Sequence, residues 1–135
     1  MTSFEGEYFQ KFKFTSSQIT RYVKGAARDL EIARKDQFTE VKFTYCYQAL
    51  IKIGMAVLAK KGGVRVRSVI GHHVKILSKL SEMMRNPDIF TIGNAMRMKR
   101  NKDLYDADAV MTEKEVDDYI IFVKEVIKKA GEILK

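Results

Sequence analysis

Between residues 97 and 105 the chain places Arg97, Arg100, Asn101 and Tyr105 in the run RMKRNKDLY. The planar fork of arginine suits phosphate oxygens. An asparagine amide can orient a phosphate or a ribose hydroxyl. Tyrosine offers a hydroxyl and a stacking face for a base. On a helix, Asn94, Arg97, Asn101 and Tyr105 follow one another at steps of three or four and lie near one stripe. Cleaving RNA without a metal takes a cation that stabilises the charged transition state. It also takes a group that activates the 2′-OH or protonates the leaving oxygen, usually histidine. This cluster supplies the first and lacks the second at the same spot. Arg97, Lys99, Arg100 and Lys102 also describe a basic helix end, which the helix dipole favours. Residue chemistry alone leaves both readings open.

The candidate proton carriers lie elsewhere. His72 and His73 are adjacent, so on a helix they point about 100° apart and cannot act as an i, i+4 metal-ligand pair. His73 shares a face with Leu77, Leu80 and Met84, as a core-edge histidine does. His72 falls nearer the polar boundary and is the better candidate for phosphate. Cys46 is the single cysteine, too few for a zinc site or an internal disulfide. It sits in an apolar pattern and reads as a buried small hydrophobe. KKGGVR lacks the spacing of a phosphate loop, and no Ser-His-Asp arrangement has a local signature. Asp106 and Asp108 read as turn or cap residues rather than a cation site. Neither a metal nor a cofactor is expected.

The charge agrees with a phosphate-bearing ligand. The net charge of +8 is concentrated in residues 60–102, which carry eleven Lys/Arg against two Asp/Glu. Residues 103–135 reverse the balance, with five against nine. A positive field of this kind attracts nucleic acid, nucleotides or an acidic protein surface, and it also serves solubility alone. No apolar run approaches the ~18 residues of a membrane span. The start, MTSFEGEYFQ, is acidic and aromatic, unlike a secretory signal. With one cysteine, the chain fits a reducing cytoplasm.

Helices must position these residues. One proline, Pro87, and long apolar periodicity predict five of them in a single domain over 1–135, behind an arm at 1–14. The first spans about 16–35, with Ser16 or Ser17 as cap and Ile19, Tyr22, Val23, Ala26, Leu30 and Ala33 on one face. The second spans about 37–61. It is apolar on most sides and therefore central, with Glu40, Thr44, Gln48 and Lys52 as its polar stripe. Gly62-Gly63 ends it, and Gly54 within it predicts close helix contact. The third spans about 67–84, capped by Ser68, with Ile70, Val74, Leu77, Leu80 and Met84 as its stripe. The fourth starts at Asn86-Pro87 and runs to 103 or 104. The fifth starts at Thr112, where TEKE forms a capping box with Glu115. Short connections predict an all-α, up-and-down antiparallel bundle of four to five helices. GVRVRS is the one brief strand candidate.

The order of ITRYVKGAARDLEIA, TYCYQALIKIGMAVLAKKG, GHHVKILSKL and MRMKRNKDLYDAD, closed by a long helix after MTEKE, resembles the HEPN domain family (higher eukaryote and prokaryote nucleotide-binding domains). The resemblance covers about 15–135, and the last motif is its most specific part. It implies an antiparallel helical bundle that dimerises, here through the third and fourth helices. Many members are metal-independent endoribonucleases with an R-x(4–6)-H motif whose two copies face each other across the dimer. Many are toxins paired with a minimal nucleotidyltransferase, and others bind nucleotides or RNA without cutting.

By position, Arg100 matches the motif arginine and Asn101 the polar residue after it. Tyr105 stands where the family has histidine. A phenol titrates near 10 and an imidazole near 6.5, so Tyr105 is a poor proton shuttle at neutral pH. It still offers phosphate positioning or stacking. The resemblance therefore implies Arg100, Asn101, Tyr105 and His72 as catalytic candidates, with His73 as an alternative proton carrier. Arg97, Arg100, Asn101 and Tyr105 are the nucleotide- or RNA-binding candidates. An interaction subunit with an acidic partner is the reading from a different class.

Overall fold

A computed structural model describes residues 3–105 and 111–135, with the side chains of 102–105 outside the description. The expected turn role of Asp106 and Asp108 and the side chain of Tyr105 therefore lie outside the described residues.

Five helices form the molecule: α1 (Ser16–Lys35), α2 (Thr39–Val57), α3 (His72–Met84), α4 (Pro87–Tyr105) and α5 (Glu113–Ile133). The fold is an all-α bundle. α1 is capped one residue earlier than the sequence suggests. The Thr15 hydroxyl accepts from Gln18 N at 3.1 Å, and Gln18 Oε1 accepts from Thr15 N at 2.8 Å. This reciprocal pair satisfies two amide donors that a helix start otherwise leaves open. α5 starts with the expected capping box between Thr112 and Glu115.

α2 packs against all four other helices. Its Phe43, Tyr47, Leu50, Ile53 and Val57 are fully buried, while Glu40, Thr44 and Gln48 form its exposed stripe. A single π-helical turn, Leu58–Gly62, continues it. Gly63 then closes the end at φ 61°, donating its N–H to the Leu58 carbonyl. Gly54 lets α3 approach: a Cβ there would stand 2.8 Å from Ile76 Cγ2.

The third helix starts five residues later than predicted, at His72. Val64–Val66 (β2) instead pairs antiparallel with Phe9–Lys11 (β1), Phe9 opposite Val66 and Lys11 opposite Val64. The β-branched Val-Arg-Val suits a strand, and the N-terminal arm supplies its partner. Gly71, at φ 83°, then turns the chain into α3 without a side-chain cap, so Ser68 does not serve as one. Ile70 consequently leaves the predicted apolar stripe and is 98% exposed, whereas Ile76, Leu77 and Leu80 are buried. Charge also holds the arm: Glu5 sits 2.9 Å from the buried Lys79 Nζ and 3.4 Å from Lys75 Nζ. Arg67 Nε donates to the Gly6 carbonyl at 3.0 Å.

α3 turns into α4 through Arg85 (φ 52°) and Asn86. The Asn86 side chain accepts from Asp88 N at 3.1 Å, leaving Pro87 in the first turn where its missing N–H costs nothing. α4 packs on α3 and α2 through Ile89, Gly93 and Met96. No described helix is long and apolar enough to cross a membrane.

Candidate functional site

The four cations near the end of α4 do not share one role. The Lys99 ammonium pairs with Glu115, within the capping box of α5, and lies 5.1 Å from the Tyr119 ring centroid. Those contacts raise the Lys99 pKa and hold the Glu115 carboxyl below the usual carboxylate range. Lys99 therefore ties α4 to α5. Arg97 is half-buried, with Nε donating to Asn94 Oδ1 at 3.0 Å, one turn back on the same helix. Arg100 is exposed and points its guanidinium at the Tyr47 ring, 5.5 Å from the centroid. Asn101 is exposed beside it. Among the described residues, no carboxylate pairs with Arg97 or Arg100.

Arg100 opens onto a pocket of about 410 Å³ where α1, α2, α3 and α4 meet. Arg21 and Tyr22 come from α1, Tyr47 and Lys52 from α2, and His73 from α3. Gly25 on α1 gives Lys52 its room: a Cβ there would stand 3.2 Å from Lys52 Cδ. Lys52 Nζ in turn lies 2.7 Å from Oδ2 of Asp29, a carboxylate only 1% exposed. Lys52 thus compensates a buried charge, and Arg21 and Arg100 carry the positive field of the pocket.

His73 rather than His72 shares this pocket with Arg100. The Tyr47 hydroxyl and His73 Nδ1 are 2.8 Å apart. Burial pushes the Tyr47 phenol up to about 12, against the pull of Arg100 and Arg97. Burial first, then the charges of His72, Arg100 and Arg97, bring His73 down to about 4. At neutral pH the pair is therefore a neutral phenol and a neutral imidazole. With the ring proton on Nε2, the phenol donates to Nδ1; in the other tautomer Nδ1–H donates to the phenol oxygen. Such an imidazole has no proton to give at neutral pH and is a weak base.

His72 is anchored differently. Its Nδ1 donates to the Val69 carbonyl at 2.8 Å, which fixes the proton there and leaves Nε2 as the outward atom. Its ring centroid is 4.3 Å from that of His73. Burial raises the Cys46 thiol to about 12, as for an inert core residue. Among the described residues, no three His, Cys, Asp or Glu side chains cluster closely enough to hold a metal ion.

The site residues that the sequence did not single out are Arg21, Tyr22, Tyr47 and Lys52. Lys52 reads as part of the polar stripe of the second helix, Tyr22 as part of the apolar face of the first, and Tyr47 as one apolar position among many in α2. Only the packing of α1 and α3 on α2 brings them to Arg100. No family model matches the chain, and neither a curated protein nor a solved structure matches it.

Proposed function

We propose that this protein is a HEPN-like binder of RNA or nucleotides, with the α1–α4 pocket as its phosphate and base site. One observation carries the reading. Arg100, the arginine of the RNKDLY motif, opens onto the same pocket as Arg21 and His73, between the rings of Tyr22 and Tyr47. Two arginines with no described carboxylate partner provide forked donors for phosphate. The half-buried Tyr22 gives stacking surface for a base, while the Tyr47 ring, only 1% exposed, forms the floor behind it. On α4, Arg97 extends the positive rim beside Arg100, and Asn101 adds an uncharged amide that can donate and accept.

The site favours binding over turnover. A metal-independent ribonuclease needs a group that gives or takes a proton near neutral pH, and His73 is held neutral far below it. The toxin reading keeps Arg100 as the transition-state cation. It draws its proton carrier from His72, His73 or Tyr105, requires a homodimer through α3 and α4, and adds a minimal nucleotidyltransferase as partner.

Titration with a single-stranded RNA oligonucleotide across salt concentrations tests the proposal, with a cleavage assay in EDTA alongside. Salt-sensitive binding that Arg100→Ala weakens is the expected result. No RNA affinity, with capture of an acidic protein instead, would replace it by the interaction-subunit reading. EDTA-resistant cleavage lost in Arg100→Ala would promote the site from binder to nuclease.

A further inference from the structure

A second pocket, of about 240 Å³, lies beside the first. Tyr22 and Met55 line both, so these two side chains form the ridge between them. The far side carries Phe14, Arg65, Ser68 and His72. Ligand pockets usually run to roughly 300–1,000 Å³. The first pocket falls in that range and the second falls short, which makes the second an extension rather than a separate site.

The two halves repeat one chemical pattern, an aromatic face beside an arginine and a histidine. In the first half these are Tyr22, Arg100 and His73, with the buried Tyr47 ring beneath them. In the second they are Phe14, Arg65 and His72. The Phe14 ring stands 6.0 Å from Tyr22, edge to face. Arg65 is held by its Nε, which donates to Gln10 Oε1 at 3.0 Å, and its guanidinium lies 4.6 Å over the Phe12 ring. Its two terminal NH2 groups remain for a ligand. His72 and His73 are the first residues of α3, and one lines each pocket. The start of that helix therefore lies where the two pockets meet. It has no side-chain cap; the His72 amide donates to the Val69 carbonyl at 3.1 Å, and the positive end of the helix dipole favours an anion there.

We infer that the ligand occupies both halves as a dinucleotide step of single-stranded RNA. One nucleoside lies against Tyr22 and Arg100, the next against Phe14 and Arg65, and the linking phosphate lies over the His72–His73 start of α3. The spacing of aromatic faces and cations along a strand is how single-stranded nucleic acid is held without base pairing. This inference rests on the proposed phosphate and base site, and it adds the number of units that the site reads.

Isothermal titration of the full chain with 5′-AMP and 5′-UMP against pApA and pUpU tests it. Stacking of a second base predicts dinucleotides at least about tenfold tighter than mononucleotides. Arg65→Ala and Ser68→Trp should each erase that advantage. The second variant fills the smaller pocket and keeps the Arg65 contacts to Gln10 and Phe12, so it holds the test if Arg65→Ala misfolds. Equal affinity for one and two units would overturn the two-part site while leaving the phosphate site standing. So would an advantage that survives Ser68→Trp in a folded protein. If no mononucleotide or dinucleotide binds, the proposed function and this inference both fail.

Discussion

The Tyr47 hydroxyl and His73 Nδ1 lie 2.8 Å apart, joining the central helix to the first turn of α3 inside the cationic pocket. Both groups are neutral at pH 7, so the contact is an ordinary hydrogen bond in partly buried surroundings rather than a charge pair. It fixes the imidazole and turns the Tyr47 ring toward Arg100. Burial and the neighbouring cations, rather than this contact, remove His73 from the pool of useful proton donors.

Replacing Tyr47 by Phe keeps the buried ring and removes the bond. His73 Nδ1 then loses its partner, and the protein should lose about 1 kcal/mol of stability. Urea unfolding would show this as a lower midpoint at unchanged slope. A midpoint identical to that of the wild type would mean that water replaces the phenol at no cost and that the pair orders nothing.

Acid should weaken the fold through His73 before the carboxylates act. The unfolded chain binds a proton on this residue near 6.5, while the folded chain resists until about 4. The unfolded state then holds more protons, so stability is full above 6.5 and falls as pH drops toward 4. Tyr47, His72, Arg97 and Arg100 are the polar and charged groups acting on the ring, and none carries a negative charge at neutral pH. The Glu5 and Glu115 carboxyls, held down by Lys79 and Lys99, contribute only at lower pH. Denaturant midpoints measured from pH 7 to pH 5 should therefore fall in the wild type and stay nearly level in His73→Gln. Parallel slopes in the two proteins would sink the assignment.

Much of the bundle was legible because its signals are local. The α5 capping box, the Asn86-Pro87 start of α4 and the apolar stripe of α1 each lie within a few residues of what they specify. The pairing of Phe9–Lys11 with Val64–Val66 was not legible. It joins segments more than fifty residues apart, so although GVRVRS stood out as a strand candidate, nothing local named Phe9–Lys11 as its partner. That pairing also moved the start of α3. The candidate site divided in the same way. Arg100 was legible from its motif, but Tyr47 lies on a helix apolar on most sides, where periodicity does not say which neighbour each face meets. His72 and His73 were separable only by direction, and the structure sets His73 beside Arg100 and His72 in the adjoining pocket.

The glycines of the bundle should respond to alanine with opposite signs. Alanine in a helix interior gains up to about 1 kcal/mol over glycine. At Gly131 nothing lies within 4 Å of an added Cβ, so Gly131→Ala should stabilise the protein by roughly 0.5–1 kcal/mol. At Gly54 the new methyl meets Ile76 Cγ2 at 2.8 Å, and at Gly93 it meets Leu77 Cδ2 at 2.7 Å. Both positions pack α3 against its neighbours, and overpacking there costs about 1–3 kcal/mol, more than the helix gain. Thermal melts of the three variants would check the signs. A stabilised Gly54→Ala would show that α3 can move away from α2 freely.

Lys99 and Arg100 are neighbours in sequence with separable roles. Lys99 reaches Glu115 and Tyr119, so Lys99→Ala should lower the melting temperature and leave RNA affinity unchanged. Arg100 is exposed over Tyr47 at the pocket, so Arg100→Ala should leave the melting temperature nearly unchanged. A charge-assisted hydrogen bond to phosphate is worth enough that the same change should weaken RNA binding roughly tenfold or more. It should also reduce the salt dependence by about 0.7 in the logarithmic slope for each phosphate that the variant no longer neutralises. The pair of variants thus separates a basic helix end from a site within one run of residues. If Lys99→Ala and Arg100→Ala weaken RNA binding equally, the run acts as a diffuse positive surface and the pocket does not direct the ligand. If Arg100→Ala unfolds the protein, the guanidinium over Tyr47 is a packing contact, and the phosphate role passes to Arg21 and Arg97.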